Sequence, residues 1–147
     1  MTTGAKAFVD TNVLLRANHP DFGLYRAANA LLTQYRQDGY ELWISRQIIR
    51  EYLVQLTRPG LLARPLTPPE VETQVRGLRT LFHVADETDA TTDKLIELIK
   101  AFPTGGKQIH DANIVATMLV YGIDTLITQN VDDMKRFSGS ITLHPLV

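Results

Sequence analysis

The chain has 147 residues, 44% of them hydrophobic and 21% charged, with a net charge of −1. These are ordinary globular values, so disorder and low complexity are excluded, and the length suits one domain over residues 1–147. Cysteine is absent, which excludes a disulfide scaffold, a thiolate metal site and a cysteine nucleophile together.

No apolar run reaches the roughly 18–20 residues of a membrane span, so no membrane partner is expected. The opening MTTGAKAFVDTN interrupts its apolar stretch at Asp10, unlike a secretory signal. A cytoplasmic protein is the expectation. The charge is unevenly spread: residues 16–79 hold nine Arg against six acids, and residues 80–147 hold five Lys or Arg against nine acids. Any positive charge offered to a polyanion must therefore be local.

Ala5 to Asp10 reads as a short buried strand through Ala7, Phe8 and Val9, ending in the turn-favouring Asp10-Thr11-Asn12. A short helix follows over Val13 to Ala17. Leu24, Ala27, Ala28, Leu31, Leu32 and Tyr35 recur at helical spacing, and Asp38-Gly39 stops that helix. Tyr40 to Ile44 reads as a second strand. Ser45 can cap the next helix, whose stripe is Ile48, Ile49, Tyr52, Leu53 and Leu56.

Arg58 to Pro65 breaks regular structure. In Thr67-Pro68-Pro69-Glu70, Thr67 can cap, Pro68 suits the first helical position and Glu70 completes a capping box. Val71, Val75, Leu78 and Phe82 carry that helix. A third strand is expected over His83 to Ala85 and a helix over Thr92 to Phe102, followed by a loop from Pro103 to Lys107. The stretch from Ile109 to Tyr121 is apolar nearly all round, which predicts a buried helix. Thr125 to Thr128 reads as a fourth strand, Val131 to Phe137 as one or two helical turns, and Ile141 to Leu143 as a last strand. Strands alternating with helices argue an α/β fold, a parallel sheet covered on both faces. Tyr25, Tyr35, Trp43 and Phe82 stand at periodic positions and read as packing residues.

The carboxylates fall where a scaffold does not need them. In an open parallel sheet ligands bind at the carboxyl ends of strands, and Asp10 directly follows Phe8-Val9. Asp111 lies within the apolar arc of Ile114, Val115, Met118 and Leu119, where an unpaired carboxylate costs several kcal/mol. Glu51 follows the second strand by two turns, and Asp132 and Asp133 follow the fourth. Each has a plain alternative: Asp10 as a helix cap, Glu51 paired with Arg46 or Arg50, the others as helix-start acids. Carboxylates brought together repel, and a hard divalent cation removes that repulsion. Oxygen-only ligands suit Mg²⁺ or Mn²⁺, which support attack of water on a phosphodiester.

Four segments carry a resemblance: Phe8-Val9-Asp10-Thr11-Asn12-Val13-Leu14-Leu15, Ser45-Arg46-Gln47-Ile48-Ile49-Arg50-Glu51-Tyr52, Gly106-Lys107-Gln108-Ile109-His110-Asp111-Ala112 and Thr128-Gln129-Asn130-Val131-Asp132-Asp133-Met134. In this order and spacing, over essentially the whole chain, they resemble the PIN-domain nucleases, and within them the VapC-type toxins of toxin–antitoxin pairs. The resemblance implies a three-layer α/β/α sandwich around a parallel sheet of about five strands. It also implies Mg²⁺- or Mn²⁺-dependent endoribonuclease activity, a homodimer, and a cognate antitoxin that blocks the site with a basic side chain.

It carries Asp10, Glu51 and Asp111 over as metal ligands, and Asp133 as the fourth acid with Asn130 beside it. The adjacent Asp132 leaves the register of that acid open, and Met134 stands where an aromatic is common. Thr11, Asn12 and Thr128 are implied to orient ligands or bound water. For the phosphate backbone, the nearest cations in sequence are Arg16, Arg46, Arg50 and Lys107. His110 reads either as a contact near the metal or as a locally packed histidine. His19, His83 and His144 join no constellation. Two other readings compete with the ribonuclease: a non-catalytic nucleic-acid-binding module on the same fold, and a phosphatase with Asp10 as nucleophile. The phosphatase chemistry usually wants a second acid where Asn12 stands.

Overall fold

Ala7, Phe8 and Val9, all without solvent exposure, form the central strand of a five-stranded sheet in a computed structural model that describes residues 4–147. The first three residues, part of the segment read as no secretory signal, lie outside the described ones. The strands are β1 (Lys6–Val9), β2 (Glu41–Ser45), β3 (His83–Ala85), β4 (Thr125–Ile127) and β5 (Thr142–His144). Every neighbouring pair is parallel, in the order β3-β2-β1-β4-β5. The helices are α1 (Thr11–Asn18), α2 (Tyr25–Gln37), α3 (Arg46–Thr57), α4 (Pro68–Leu81), α5 (Asp89–Ala101), α6 (Gln108–Val120) and α7 (Val131–Met134).

The chain runs outward from β1 through β2 to β3, then crosses back to β4 on the other side of β1. Right-handed crossovers put α1 to α4 on one face and α5 to α7 on the other. Helix α1 accordingly packs against α2 and α3, and α5 against α6. The strand order reverses between β1 and β4, and the crevice at their carboxyl ends is where such a sheet places a ligand.

Local signals explain most element boundaries. Ser45 Oγ accepts from Ile48 N (3.3 Å), starting α3 where β2 ends. At α4, Thr67 N donates to Glu70 Oε1 (3.0 Å), one half of the expected capping box. Helix α6 buries Ala112, Ile114, Val115, Ala116, Thr117 and Met118, so its all-round apolar character reflects packing on several sides. Among the described residues no helix is long and apolar enough to cross a membrane.

Several boundaries depart from the sequence expectation, among them α1, which starts at Thr11 rather than Val13 because Asp10 caps it, and β2 and β5, each shifted by one residue. Leu24 sits in the left-handed region (φ 53), so α2 starts at Tyr25. Helix α5 starts at Asp89, not Thr92, because Thr88 and Thr91 form a reciprocal cap (Thr88 N to Thr91 Oγ1, 3.0 Å). A short 3₁₀ turn occupies Pro20–Phe22. The segment after α7 tightens into another 3₁₀ turn at Lys135–Phe137. Tyr25, expected to pack, is 40% exposed, because the helix turns that edge to solvent.

Candidate active site

Asp10, Glu51 and Asp111 line one cavity of about 290 Å³ at the carboxyl ends of β1 and β4, together with Thr11, Asn12 and Asn130. Asp10 is buried and reaches the cavity because β1 ends there. Its Oδ1 accepts from Thr11 N (2.8 Å), so it also caps α1, and its Oδ2 accepts from Thr128 Oγ1 (2.7 Å) and Asn12 Nδ2 (3.3 Å). Thr128 follows β4, and its hydroxyl also accepts from Asn130 N (3.0 Å). Asn12 Oδ1 accepts from Gln129 N (3.0 Å). These contacts stitch the end of β1 to the end of β4. A carboxylate offers about four acceptor positions, and three on Asp10 are filled within the protein.

The electrostatics are those of an uncompensated acid cluster. Burial holds the Asp10 carboxyl above the usual carboxylate range, against its three hydrogen bonds. Burial, then the charge of Asp10 and, more weakly, of Asp111, pushes Glu51 up from 4.5 to about 7; a Gln47 hydrogen bond and the charge of Arg50 oppose the rise. Asp111 is half-buried and raised to about 6, by burial first and then by Asp10 and Asp133, against Arg136 and His110. Among the described residues Glu51 has no ion pair, and Arg46, one of its expected partners, pairs with Asp86 instead (2.8 Å).

The two adjacent acids on α7 separate. Asp133 carries the charge that raises Asp111, whereas Asp132 is turned to solvent beside Lys135 (3.7 Å). The candidate cations separate too. Arg16 Nη1 donates to Phe22 O (2.6 Å) and so braces the Pro20–Phe22 turn. Arg50 and His110 share a groove of about 390 Å³ with Gln47, Glu51 and Val54, directly beside the acid cavity. Lys107 is exposed just before α6. His19 and His144 hydrogen-bond to Tyr52 and Tyr35, and His83 stacks on Trp43, so none of the three joins the site.

Sequence reading missed two neighbours of the acids. Arg136 acts on Asp111 and donates to Gln108 Oε1 (2.7 Å); nothing in its local pattern marks it. Gln47 is buried against α6, and its signal was present: an amide four residues before Glu51, flanked by the apolar Ile48 and Ile49.

Among the described residues no three Asp, Glu or His side chains converge closely enough to grip one ion directly. Mg²⁺ does not require that, since it is usually held by one or two carboxylates and keeps several waters. Thr11 lines the cavity, and its Oγ1 is a buried oxygen with no hydrogen-bond partner. An unpartnered hydroxyl beside acids of raised pKa suits a hydrated hard cation.

The chain is similar in fold to several solved structures from toxin–antitoxin systems. A toxin–antitoxin complex from Klebsiella pneumoniae superposes with a TM-score of 0.66 at 20% identity, covering 96% of this chain and 98% of that one. VapBC-1 from nontypeable Haemophilus influenzae gives 0.70 at 15%, covering 96% and 98%. The sarcin–ricin-loop-cleaving toxin VapC20 from Mycobacterium tuberculosis gives 0.61 at 17%, covering 82% and 86%. Among curated proteins, none matches the sequence. The PIN domain profile matches residues 7–139. That match spans all three acids of the cavity and the β1–β4 crevice that holds them, and by it the chain belongs to the PIN domain family.

Proposed function

We propose that the protein is a Mg²⁺- or Mn²⁺-dependent endoribonuclease, the toxin of a toxin–antitoxin pair. The observation that carries this reading is the cavity in which Asp10, Glu51 and Asp111 meet. Asp10, Glu51 and Asp111 would hold a hydrated ion, one or two of them directly and the rest through water, with the exposed Asp133 acting on Asp111 from outside the cavity lining and Thr11, Asn12, Thr128 and Asn130 orienting acids and water. When bound, the ion supplies Lewis-acid stabilisation of the phosphodiester and favours ionisation of water.

The chain's own groups do the rest. Thr128 and Asn12 hold the Asp10 carboxylate in one rotamer through Oδ2. Arg50 and His110, in the adjoining groove, contact the phosphates on one side of the cut, and Arg136 sits on the side of Asp111. Water adds in line to phosphorus and the P–O3′ bond breaks, leaving 5′-phosphate and 3′-hydroxyl ends. A cluster carboxylate not bound directly to the ion takes the proton that the attacking water loses, and the departing O3′ takes one up from solvent, so the step balances.

The partner inferred is an antitoxin, since structurally similar chains come from toxin–antitoxin complexes; a basic side chain covering the cavity is what the family resemblance implies. A homodimer is part of the same reading. Exposed Leu24, Tyr25 and Val54 offer apolar area on α3 and at the start of α2. A pool of tRNA, rRNA and mRNA incubated with Mn²⁺, Mg²⁺ or EDTA tests the proposal. A discrete cut with 5′-phosphate ends, lost both in EDTA and in folded Asp10→Asn, is expected. Cyclic 2′,3′-phosphate ends would refute the mechanism. No cut and no thermal shift on adding metal would leave a non-catalytic nucleic-acid-binding module.

A further inference from the structure

We infer that Gln47 is a positioning residue: a buried amide strut between α3 and α6 that sets the separation of Glu51 and Asp111. The inference rests on reading the acid cavity as a cation site. Two of its acids come from different helices, Glu51 from α3 and Asp111 from α6, and these helices hardly touch through their backbones. Both acids line the same cavity, and carboxylates brought together repel. Something must resist that push.

Gln47 is placed to do so. It is 4% exposed and lies one helical turn before Glu51, on the same face of α3. Its Nε2 donates to His110 O (2.9 Å), the carbonyl immediately preceding Asp111. Its Oε1 accepts from Asn113 Nδ2 (2.8 Å), two residues beyond Asp111. The strut thus grips α6 on both sides of the acid. The Gln47 amide also acts on the Glu51 carboxyl itself. Asn113 is anchored in turn, since its Nδ2 donates to Glu87 Oε1 (2.6 Å) in the segment after β3. A primary amide both donates and accepts, and here its N–H and its carbonyl each engage α6. A glutamate at this position would face the His110 carbonyl and Glu51 with negative charge. An apolar residue would fill the space without the tie.

Polar groups that orient metal-binding side chains typically cost 10–100-fold in affinity or activity when removed. Gln47→Met keeps the volume and removes the tie. Titration of the metal-free protein with Mn²⁺ by calorimetry should show an affinity about tenfold weaker than wild type, with a cooperative melt in EDTA confirming the fold. A residue that only supports the fold would weaken binding equally in any background. A strut acting through Glu51 loses its effect once Glu51 is neutralised, so Gln47→Met added to Glu51→Gln should change affinity less than about twofold. Wild-type affinity in Gln47→Met, or the same loss in both backgrounds, overturns the inference. Should Gln47→Met fail to fold, Asn113→Ala leaves Gln47 tied to α6 through His110 O alone, and a smaller loss with the same dependence on Glu51 is expected. A wild-type protein that binds no Mn²⁺ overturns the cation-site reading itself, and the strut with it, which separates the two failures.

Discussion

Glu51→Gln should stabilise the metal-free protein at neutral and alkaline pH. A carboxyl moved from 4.5 to about 7 opposes folding once it must ionise, by about 1.4 kcal/mol for each tenfold change in proton affinity. The full shift corresponds to about 3 kcal/mol at high pH, but part of the side chain meets water, and screening brings this to about 1–2 kcal/mol. The sign follows from linkage. The folded-state pKa is the higher one, so the folded state binds the extra proton. The penalty is absent below pH 4.5, grows as pH rises through about 7, and is complete above it. Removing the charge removes the penalty. In EDTA at pH 8, Glu51→Gln should melt about 2–8 °C above wild type, taking about 2–4 °C per kcal/mol for a chain of this size. At pH 4.5 the two curves should coincide. Mn²⁺ should reverse the order, because only wild type keeps all three acids for the ion. Scanning calorimetry at both pH values, with and without Mn²⁺, decides it. An unchanged or lower melting temperature for Glu51→Gln at pH 8 in EDTA would show that Glu51 is not a strained acid.

Two further outcomes follow from the contacts around it. Thr128→Val removes the 2.7 Å hydrogen bond to the buried Asp10 carboxylate, and urea unfolding should report a loss of about 1.5–3 kcal/mol; a neutral result would mean that Asp10 is held by Thr11 and Asn12 alone. Arg50→Ala should weaken RNA binding and reduce the salt slope of binding by about one, while Arg46→Ala, whose guanidinium is engaged with Asp86, should change little. Equal effects would place the RNA path elsewhere.

The sheet and its helices were legible because their signals are local. Consecutive apolar residues at Phe8-Val9 marked a buried strand, Ser45 and Thr67 marked helix starts, and the stripe through Ile48, Tyr52 and Leu56 marked a buried helix face. Asp10 stood out because it ends a strand, and Asp111 because a carboxylate interrupts an apolar helix. The failures were local in another sense. Leu24 in a left-handed conformation and the Thr88–Thr91 cap depend on backbone dihedrals that residue type alone leaves open.

By itself the sequence determined the alternation of strands and helices, the parallel class of the sheet, and the strand end that carries Asp10. Those features follow from side-chain periodicity and turn chemistry within a few residues. Tertiary structure alone decided which groups face the acids. It let the Asp133 charge act on Asp111 and set Asp132 beside Lys135, engaged Arg46 with Asp86, left Arg50 and His110 in the groove, and set Gln47 between α3 and α6. The reason is that these partners come from elements distant in the chain. Gln47 meets His110 across 63 residues and Thr128 meets Asp10 across 118, and only the strand order β3-β2-β1-β4-β5 brings such elements to one end of the sheet.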